Sequence, residues 1–352
     1  MTDKHDFQSF TFAGQQDTVK LGFDHSAPFP LALRPTDGWK PTLRESVDKI
    51  RQLSDPGAIF EQIQHHGGAV LIRGLPIQTP QDYSEVAHAF GFPPHEEVGR
   101  PPLRTVLARN VKTANEGPPE LPIWPHNDYG WSKINPAWLT FSCLNVPESG
   151  GETPIISSLG LAAALRQQAP EFVQKLLEKG VKYIIDMASK MWYPILVRAF
   201  WAHMVSTKIE KEVRRHSNFF EWHQDGSLSV THIVPIIRKH EETGCTTWFG
   251  NLTSAWGRSK HHGATAPPYR GDDDSYHPPP LYGDGTKIES RYLDLALDLA
   301  ESSQVLVSWE RGDIVLLDNY AVMHSRSPWI GNRTVLAALW DSEKIRISDY
   351  PR

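Results

Sequence analysis

Four histidines are each followed, two positions on, by an acidic residue: His95/Glu97, His126/Asp128, His223/Asp225 and His240/Glu242. The pairing matters because two imidazoles and one carboxylate can hold one face of a ferrous ion, leaving the other positions open for a cosubstrate and O2. With 16 His and 41 acidic residues in 352 positions, chance gives about two such pairs, so a pair alone decides nothing. Pro93-Pro94 ahead of Glu96-Glu97, and Thr243-Gly244 behind Glu241-Glu242, mark two of the pairs as solvated turns. His223-Gln224-Asp225-Gly226 sits where an aromatic run meets an Asp-Gly turn signal and reads as a hairpin end or pocket wall.

His126-Asn127-Asp128 is set apart by its company. The apolar run Ala137 to Val146 follows, and Ser149-Gly150-Gly151-Glu152-Thr153-Pro154 then supplies two glycines and a hydroxyl. Downstream, GDIVLLDNYAVMHSRSPWIGNR carries His324 in an apolar strand-turn-strand setting, with Arg333 nine residues beyond it. Neutral His126 and His324 with anionic Asp128 would offset part of the ferrous charge. A dicarboxylate could chelate the metal through a 2-oxo acid end; its far carboxylate then needs a two-pronged cation with a hydroxyl beside it. Arg333 and Thr153 have those chemistries. Each also has an ordinary reading, Thr153 as a turn residue and Arg333 as a solvated hairpin arginine.

The elements that must position these residues start with helices. Leu43, Val47, Ile50 and Leu53 predict a helix over 43–54, ended by Asp55-Pro56-Gly57, and a second is expected over 58–65. HHGGAVLIRGLPI reads as a buried strand between glycines, and Thr79-Pro80 opens a helix toward Phe90. Beyond residue 100 strand-like runs dominate: 105–108, 137–146, 181–185, 228–237, 246–249, 305–307, 314–317 and 334–340. One helix is expected over 159–179 and another over 290–300. Residues 253–285, rich in Pro, Gly and Asp, read as one long loop and a candidate lid. The fold class is therefore α+β, a jelly roll or β-sandwich with flanking helices, in preference to regular βαβ alternation. With no repeat and no clean linker, residues 1–352 read as one domain, residues 1–100 being its helical N-terminal elaboration.

Composition bounds the function. Lys+Arg 36 against Asp+Glu 41 gives a net charge of −5, which offers no basic field for nucleic acid or anionic lipid. Two cysteines, Cys143 and Cys245, exclude a disulfide framework and a Cys-type zinc site. The polar N-terminal segment has neither signal nor transit character, and the longest apolar runs fall far short of the roughly 20 residues that span a bilayer. A cytoplasmic protein without membrane segments is expected; the oligomeric state is not legible.

Taken in order, HHGGAVLIRGLPI, PHNDYGW, ESGGETPI, HEETGCTTWFGNL, LYGDGTKI and WERGDIVLLDNYAVMHSRSPWIGNR resemble the Fe(II)/2-oxoglutarate-dependent dioxygenases of the taurine dioxygenase (TauD/TfdA) family, in the clavaminate-synthase-like superfamily. The resemblance implies a double-stranded β-helix core with iron on His126, Asp128 and His324, and 2-oxoglutarate on Thr153 and Arg333. It implies oxidation of an unactivated C–H bond, by hydroxylation, cyclisation or desaturation, with release of succinate and CO2. Relatives often carry the arginine further beyond the distal histidine, and some have a second arginine that binds substrate, so the division of labour between Arg326 and Arg333 stays open. An acid at position 128 leaves no vacant ligand site for chloride, which disfavours halogenation. Two other classes share these ligands: a jelly-roll metal-binding protein without turnover, and a zinc-dependent hydrolase, which would need no anchor for a dicarboxylate.

Substrate signals are few. Trp124, Tyr129 and Trp131 crowd the metal residues, with Trp248 and Phe249 on a nearby strand, and suggest aromatic walls around a small substrate. The family's small polar acids make an amino-acid-like substrate the expectation, with Arg326, Arg109 or His223 to meet its carboxylate.

Overall fold

The computed structural model describes residues 6–350 apart from 56, 98–103, 115–116, 188–209, 212, 215 and 225. Its largest sheet has eight strands, ordered Phe7–Ser9, Leu31–Pro35, Ala69–Ile72, Ile314–Asp318, Trp138–Asn145, Thr334–Trp340, Val111–Thr113 and Val106–Ala108. Only the Leu31–Pro35/Ala69–Ile72 pair within it is parallel. A facing sheet of four strands runs Val305–Val307, Thr153–Ser157, Val322–Arg326 and Ile123–His126. These two are the walls of the jelly roll.

The central strands are continuously apolar because both their faces are covered. Ala69, Leu71, Val315, Leu317, Val335, Ala337 and Leu339 pack inside the jelly roll with Ile155, Val305 and Val322. Their neighbours in sequence, Val70, Ile72, Ile314, Leu316, Leu336, Ala338 and Trp340, face the opposite way. They pack against Ile50, Ile59, Ile63, Tyr83 and Val86 of the N-terminal helices Leu43–Ser54, Ala58–His65 and Pro80–His88. Two of those helices start at capping boxes, Thr42 with Glu45 and Thr79 with Asp82. A third core gathers the later helices over the outside of the four-stranded sheet, through Ile156 and Met323.

Three expectations need correction. The helix foreseen over 159–179 is two, Ser158–Gln168 and Pro170–Lys179. Pro170 has no N–H to continue the ladder and drives Ala169 out of the helical region, to φ −146° and ψ 62°. The loop foreseen over 253–285 begins as a helix, Leu252–His261. Its Gly257, a breaker by composition, is required by packing, since a Cβ there would stand 2.4 Å from the Trp124 ring. The single strand expected over 228–237 is divided into Leu228–Val234 and Ile237–His240. No helix among the described residues is long and apolar enough to cross a membrane.

Candidate metal centre

Strand register builds the centre. His126, the last residue of Ile123–His126, lies directly across from His324 on Val322–Arg326, and His324 in turn lies across from Ile155 on Thr153–Ser157. Residues paired in this way project to the same face of a sheet, and the two imidazole centroids are 4.4 Å apart. Asp128 comes from the turn that follows. His126 Nε2 is 3.5 Å from Asp128 Oδ1, and the donor atoms of His126, Asp128 and His324 all lie within 4.8 Å of one another.

The turn is fastened by two buried asparagines. Asn127 Nδ2 donates to the Asn319 and Val322 carbonyls at 2.8 and 3.2 Å, and its Oδ1 accepts from Gly250 N–H at 3.0 Å. Asn319 Oδ1 accepts from Asp128 N–H at 3.0 Å, while its Nδ2 donates to the carbonyls of Asp128 and Pro136. His126 Nδ1 is 2.9 Å from the Trp124 carbonyl. A carbonyl only accepts, so the proton sits on Nδ1 and the Nε2 lone pair is directed at the centre.

Electrostatics prepares the same groups. Burial and the neighbouring His126 push the His324 pKa down to about 3, so this imidazole is neutral. Burial alone would raise the Asp128 carboxyl, but Arg104, with His126 and His324, holds it well below the usual carboxylate range. His324 Nδ1 and Asp128 Oδ2 are buried with no hydrogen-bond partner.

Thr153 and Arg333 stand beside this set. Thr153 is on the strand that pairs with His324, two residues and one pleat before Ile155. Its Oγ1 accepts from Trp309 Nε1 at 3.1 Å and lies 3.5 Å from Arg333 Nη2. Arg333 Nε donates to the Gly151 carbonyl at 2.8 Å. Position 151 must be glycine, because φ is +72° and a Cβ would lie 2.9 Å from Arg333 Cδ. Burial and the nearby Arg326 push the Arg333 guanidinium down to about 10.

One cavity of about 1540 Å³ collects His126, Asp128, His324, Thr153 and Arg333, with Tyr129, Trp131 and Arg326 also on its wall. Arg326 is buried and its Nη2 donates to the Pro118 and Leu121 carbonyls at 2.9 and 2.7 Å, so it braces that segment. Five other expected substrate or wall residues are elsewhere. Arg109 is exposed at the turn between Val106–Ala108 and Val111–Thr113, and His223 is at a hairpin end bonded to Ser229 Oγ. Trp124 packs on helix Leu252–His261, against Gly257 and His261, rather than lining the cavity. Trp248 and Phe249 are buried in separate cores. Asp225, the partner of His223 in sequence, lies outside the described residues.

The two pairs read as solvated turns are solvated only in part: Glu96 and Glu242 are exposed, but Glu97 and His240 are not. His240 is fully buried, with Nε2 donating to Asp318 at 2.9 Å. The Glu97 carboxylate is 5% exposed, held by Lys112, by Tyr129 Oη at 2.8 Å and by Arg104 at 3.6 Å. Arg104 is the residue that sequence reasoning missed. It is buried on the cavity wall 3.5 Å from Asp128, with Nε and Nη1 lacking hydrogen-bond partners. Arg109, in the same basic stretch, is five residues away, at the other end of the strand Val106–Ala108.

The family model for the taurine catabolism dioxygenase TauD, TfdA family matches residues 33–340. The chain belongs to this family. Among TauD/TfdA relatives and neighbours, it is 30% identical over 323 residues to a clavaminate synthase-like protein of Arabidopsis thaliana, covering 89% of this chain and 94% of that one. It is 23% identical over 292 residues to the dapdiamide synthesis protein DdaC of Enterobacter agglomerans, covering 80% and 84%. Its fold is similar to the crystal structure of PvcB from Pseudomonas aeruginosa, with a TM-score of 0.50 and 13% identity over 98% and 94% of the two chains. TauD/TfdA proteins are Fe(II)/2-oxoglutarate-dependent dioxygenases acting with O2 on small molecules, and this chain is an oxidoreductase with those cofactors. The donor set fits that metal: two imidazoles and one carboxylate on the wall of one cavity, with His324 Nδ1 and Asp128 Oδ2 buried and without hydrogen-bond partners.

Proposed function

We propose that His126, Asp128 and His324 hold the iron, that Thr153 and Arg333 receive the far carboxylate of 2-oxoglutarate, and that the enzyme oxidises a C–H bond of a small, amino-acid-like anion. The outcome is hydroxylation, ring closure or desaturation, with succinate and CO2 released. The observation that carries this reading is the placement of Thr153 one pleat repeat, roughly 7 Å, along the strand from the row that contains His324. That span suits a five-carbon dicarboxylate held at the metal by one end and at Arg333 by the other.

When bound, the iron supplies the activation of O2. The chain's own residues bind, orient and exclude water. Asn127 and Asn319 fix the Asp128 turn, and Trp309 orients the Thr153 hydroxyl by occupying one of its lone pairs. Arg104, on the cavity wall with its Nε lacking a hydrogen-bond partner, suits the substrate's carboxylate better than Arg326, whose Nη2 is committed to two carbonyls. The reading as one domain is supported by strands whose alternate side chains serve the N-terminal helices and the jelly-roll interior.

The test is an anaerobic titration of metal-free protein with Fe(II) and then 2-oxoglutarate, following the visible charge-transfer band of a chelated 2-oxo acid. A saturable band, abolished in His126→Ala, Asp128→Ala and His324→Ala but kept in His223→Ala, is expected. A band that survives Asp128→Ala would refute the ligand assignment.

A further inference from the structure

The rim of the cavity holds a second cluster of metal-ligating side chains. Past helix Leu252–His261, residues Thr265, Tyr269, Tyr276 and His277 contribute to the cavity wall. This stretch is anchored by polar groups. His262 and His277 stack with centroids 4.4 Å apart and planes inclined 16°, and their side chains are only 10% and 12% exposed. Two carboxylates close on them. His262 Nδ1 is 2.7 Å from Asp272 Oδ1 and 4.0 Å from Asp273 Oδ1, and His277 Nε2 is 3.0 Å from both oxygens of Asp273. The donor atoms of His262, Asp273 and His277 all lie within 4.8 Å of one another. Gly271 permits this closure, since a Cβ there would meet His262 Cβ at 2.7 Å, Asp273 Oδ1 at 2.8 Å and His277 Cδ2 at 2.9 Å.

We propose that His262, Asp273 and His277, with Asp272 as fourth ligand, form a zinc-type divalent-metal site that clasps this segment over the mouth of the catalytic cavity. The charges argue for a cation. With neutral imidazoles the cluster carries two adjacent carboxylates and no positive charge, whereas protonating both rings would put two cations face to face. A dication offsets both carboxylates and leaves both rings neutral, the form in which imidazole is a ligand. Two nitrogens and two carboxylate oxygens are a donor set that zinc takes in tetrahedral geometry, with bonds of about 2.0–2.2 Å. Ligand atoms in such a site are roughly 3.3 Å apart, and the donor atoms of His262, Asp273 and His277 already lie within 4.8 Å of one another. Ligands at 262, 272, 273 and 277 close the intervening chain into a loop, lowering the entropy of its open states.

The test uses the full-length protein stripped of metal, in four forms titrated with Zn(II) by calorimetry and assayed for bound metal after gel filtration. The unmodified chain is expected to bind two equivalents. His126→Ala/Asp128→Ala, which blocks the catalytic centre, should bind one, His262→Ala/His277→Ala one, and the combined variant none. In the centre-blocked protein, Co(II) should give intense tetrahedral visible bands. Asp273→Asn, which keeps the shape of the side chain, should weaken that binding at least tenfold, with circular dichroism confirming the fold. Zinc should also slow proteolytic cleavage between residues 263 and 280. No uptake by the centre-blocked protein, or uptake undiminished by both His262→Ala/His277→Ala and Asp273→Asn, would overturn the proposal and leave a hydrogen-bonded His/Asp network. If instead the unmodified chain bound a single zinc that His262→Ala/His277→Ala removed, the catalytic-centre assignment would fail and this one would stand.

Discussion

Replacing Arg333 by alanine isolates the proposed 2-oxoglutarate anchor. The guanidinium spends Nε on the Gly151 carbonyl and brings Nη2 to 3.5 Å from the Thr153 hydroxyl, which leaves its fork for a carboxylate. A charge-assisted hydrogen bond is worth about 1.5–3 kcal/mol, and truncating one partner of a buried charged pair costs about 2–5 kcal/mol. A loss of about 3 kcal/mol corresponds to a roughly hundred-fold weaker cosubstrate. Arg333→Lys keeps the charge without the fork and should lose about tenfold. The assay is the anaerobic charge-transfer titration, with Fe(II) affinity measured separately and urea unfolding monitoring the roughly 1 kcal/mol expected from the lost Gly151 contact. Because burial and Arg326 bring the Arg333 pKa to about 10, the guanidinium stays charged below about pH 9. Cosubstrate affinity should therefore be flat from about pH 6 to 9 and weaken as pH passes through 10. An affinity within threefold of the parent in Arg333→Ala, with iron binding intact, would refute the reasoning and move the far carboxylate elsewhere in the cavity.

Other outcomes follow from the same geometry. Arg104→Gln should raise the substrate concentration needed for half-maximal succinate release at least tenfold while leaving the 2-oxoglutarate titration within threefold, and Arg109→Gln should change neither; equal effects of the two would remove Arg104 from the site. Gly257→Ala sets two forces against each other. Helix propensity favours alanine by about 1 kcal/mol, but the 2.4 Å approach to Trp124 costs about 1–3 kcal/mol or more, so thermal unfolding should show a net loss of stability. His324 supplies a pH dependence in the metal-free protein. The unfolded chain takes up a proton near pH 6.5 and the folded one only near about 3, so stability falls as pH drops through that window, by up to roughly 1.4 kcal/mol per unit. Urea unfolding of the parent and His324→Leu at pH 7 and 5 should show the smaller change in the variant.

What the sequence made legible was local. The N-terminal helix over 43–54 combines a capping box with regularly spaced Leu, Val and Ile, and the buried strands are unbroken apolar runs bounded by turn residues. His126, Asp128 and His324 stood out because distinctive neighbours flank each of them. What escaped depends on partners distant in the chain. Glu96-Glu97 and Glu241-Glu242 have turn composition, yet Glu97 is buried by Lys112 and Arg104, and His240 by Asp318, 78 residues away. No local pattern separates Arg104 from Arg109, because the difference is which end of the strand Val106–Ala108 each one flanks. Gly257 misled for the same reason, its small size answering to an indole more than a hundred residues earlier.

The two asparagines that flank the centre have a consequence for how the enzyme acquires and loses its metal. Every hydrogen bond that Asn127 and Asn319 make to the Asp128 turn joins protein to protein, with no ion as a partner. Iron is therefore not among the groups that fasten this turn. Metal-free enzyme should be a stable storage form that is reactivated by simple addition of Fe(II), and oxidative loss of the ion should be a reversible inactivation rather than a route to aggregation.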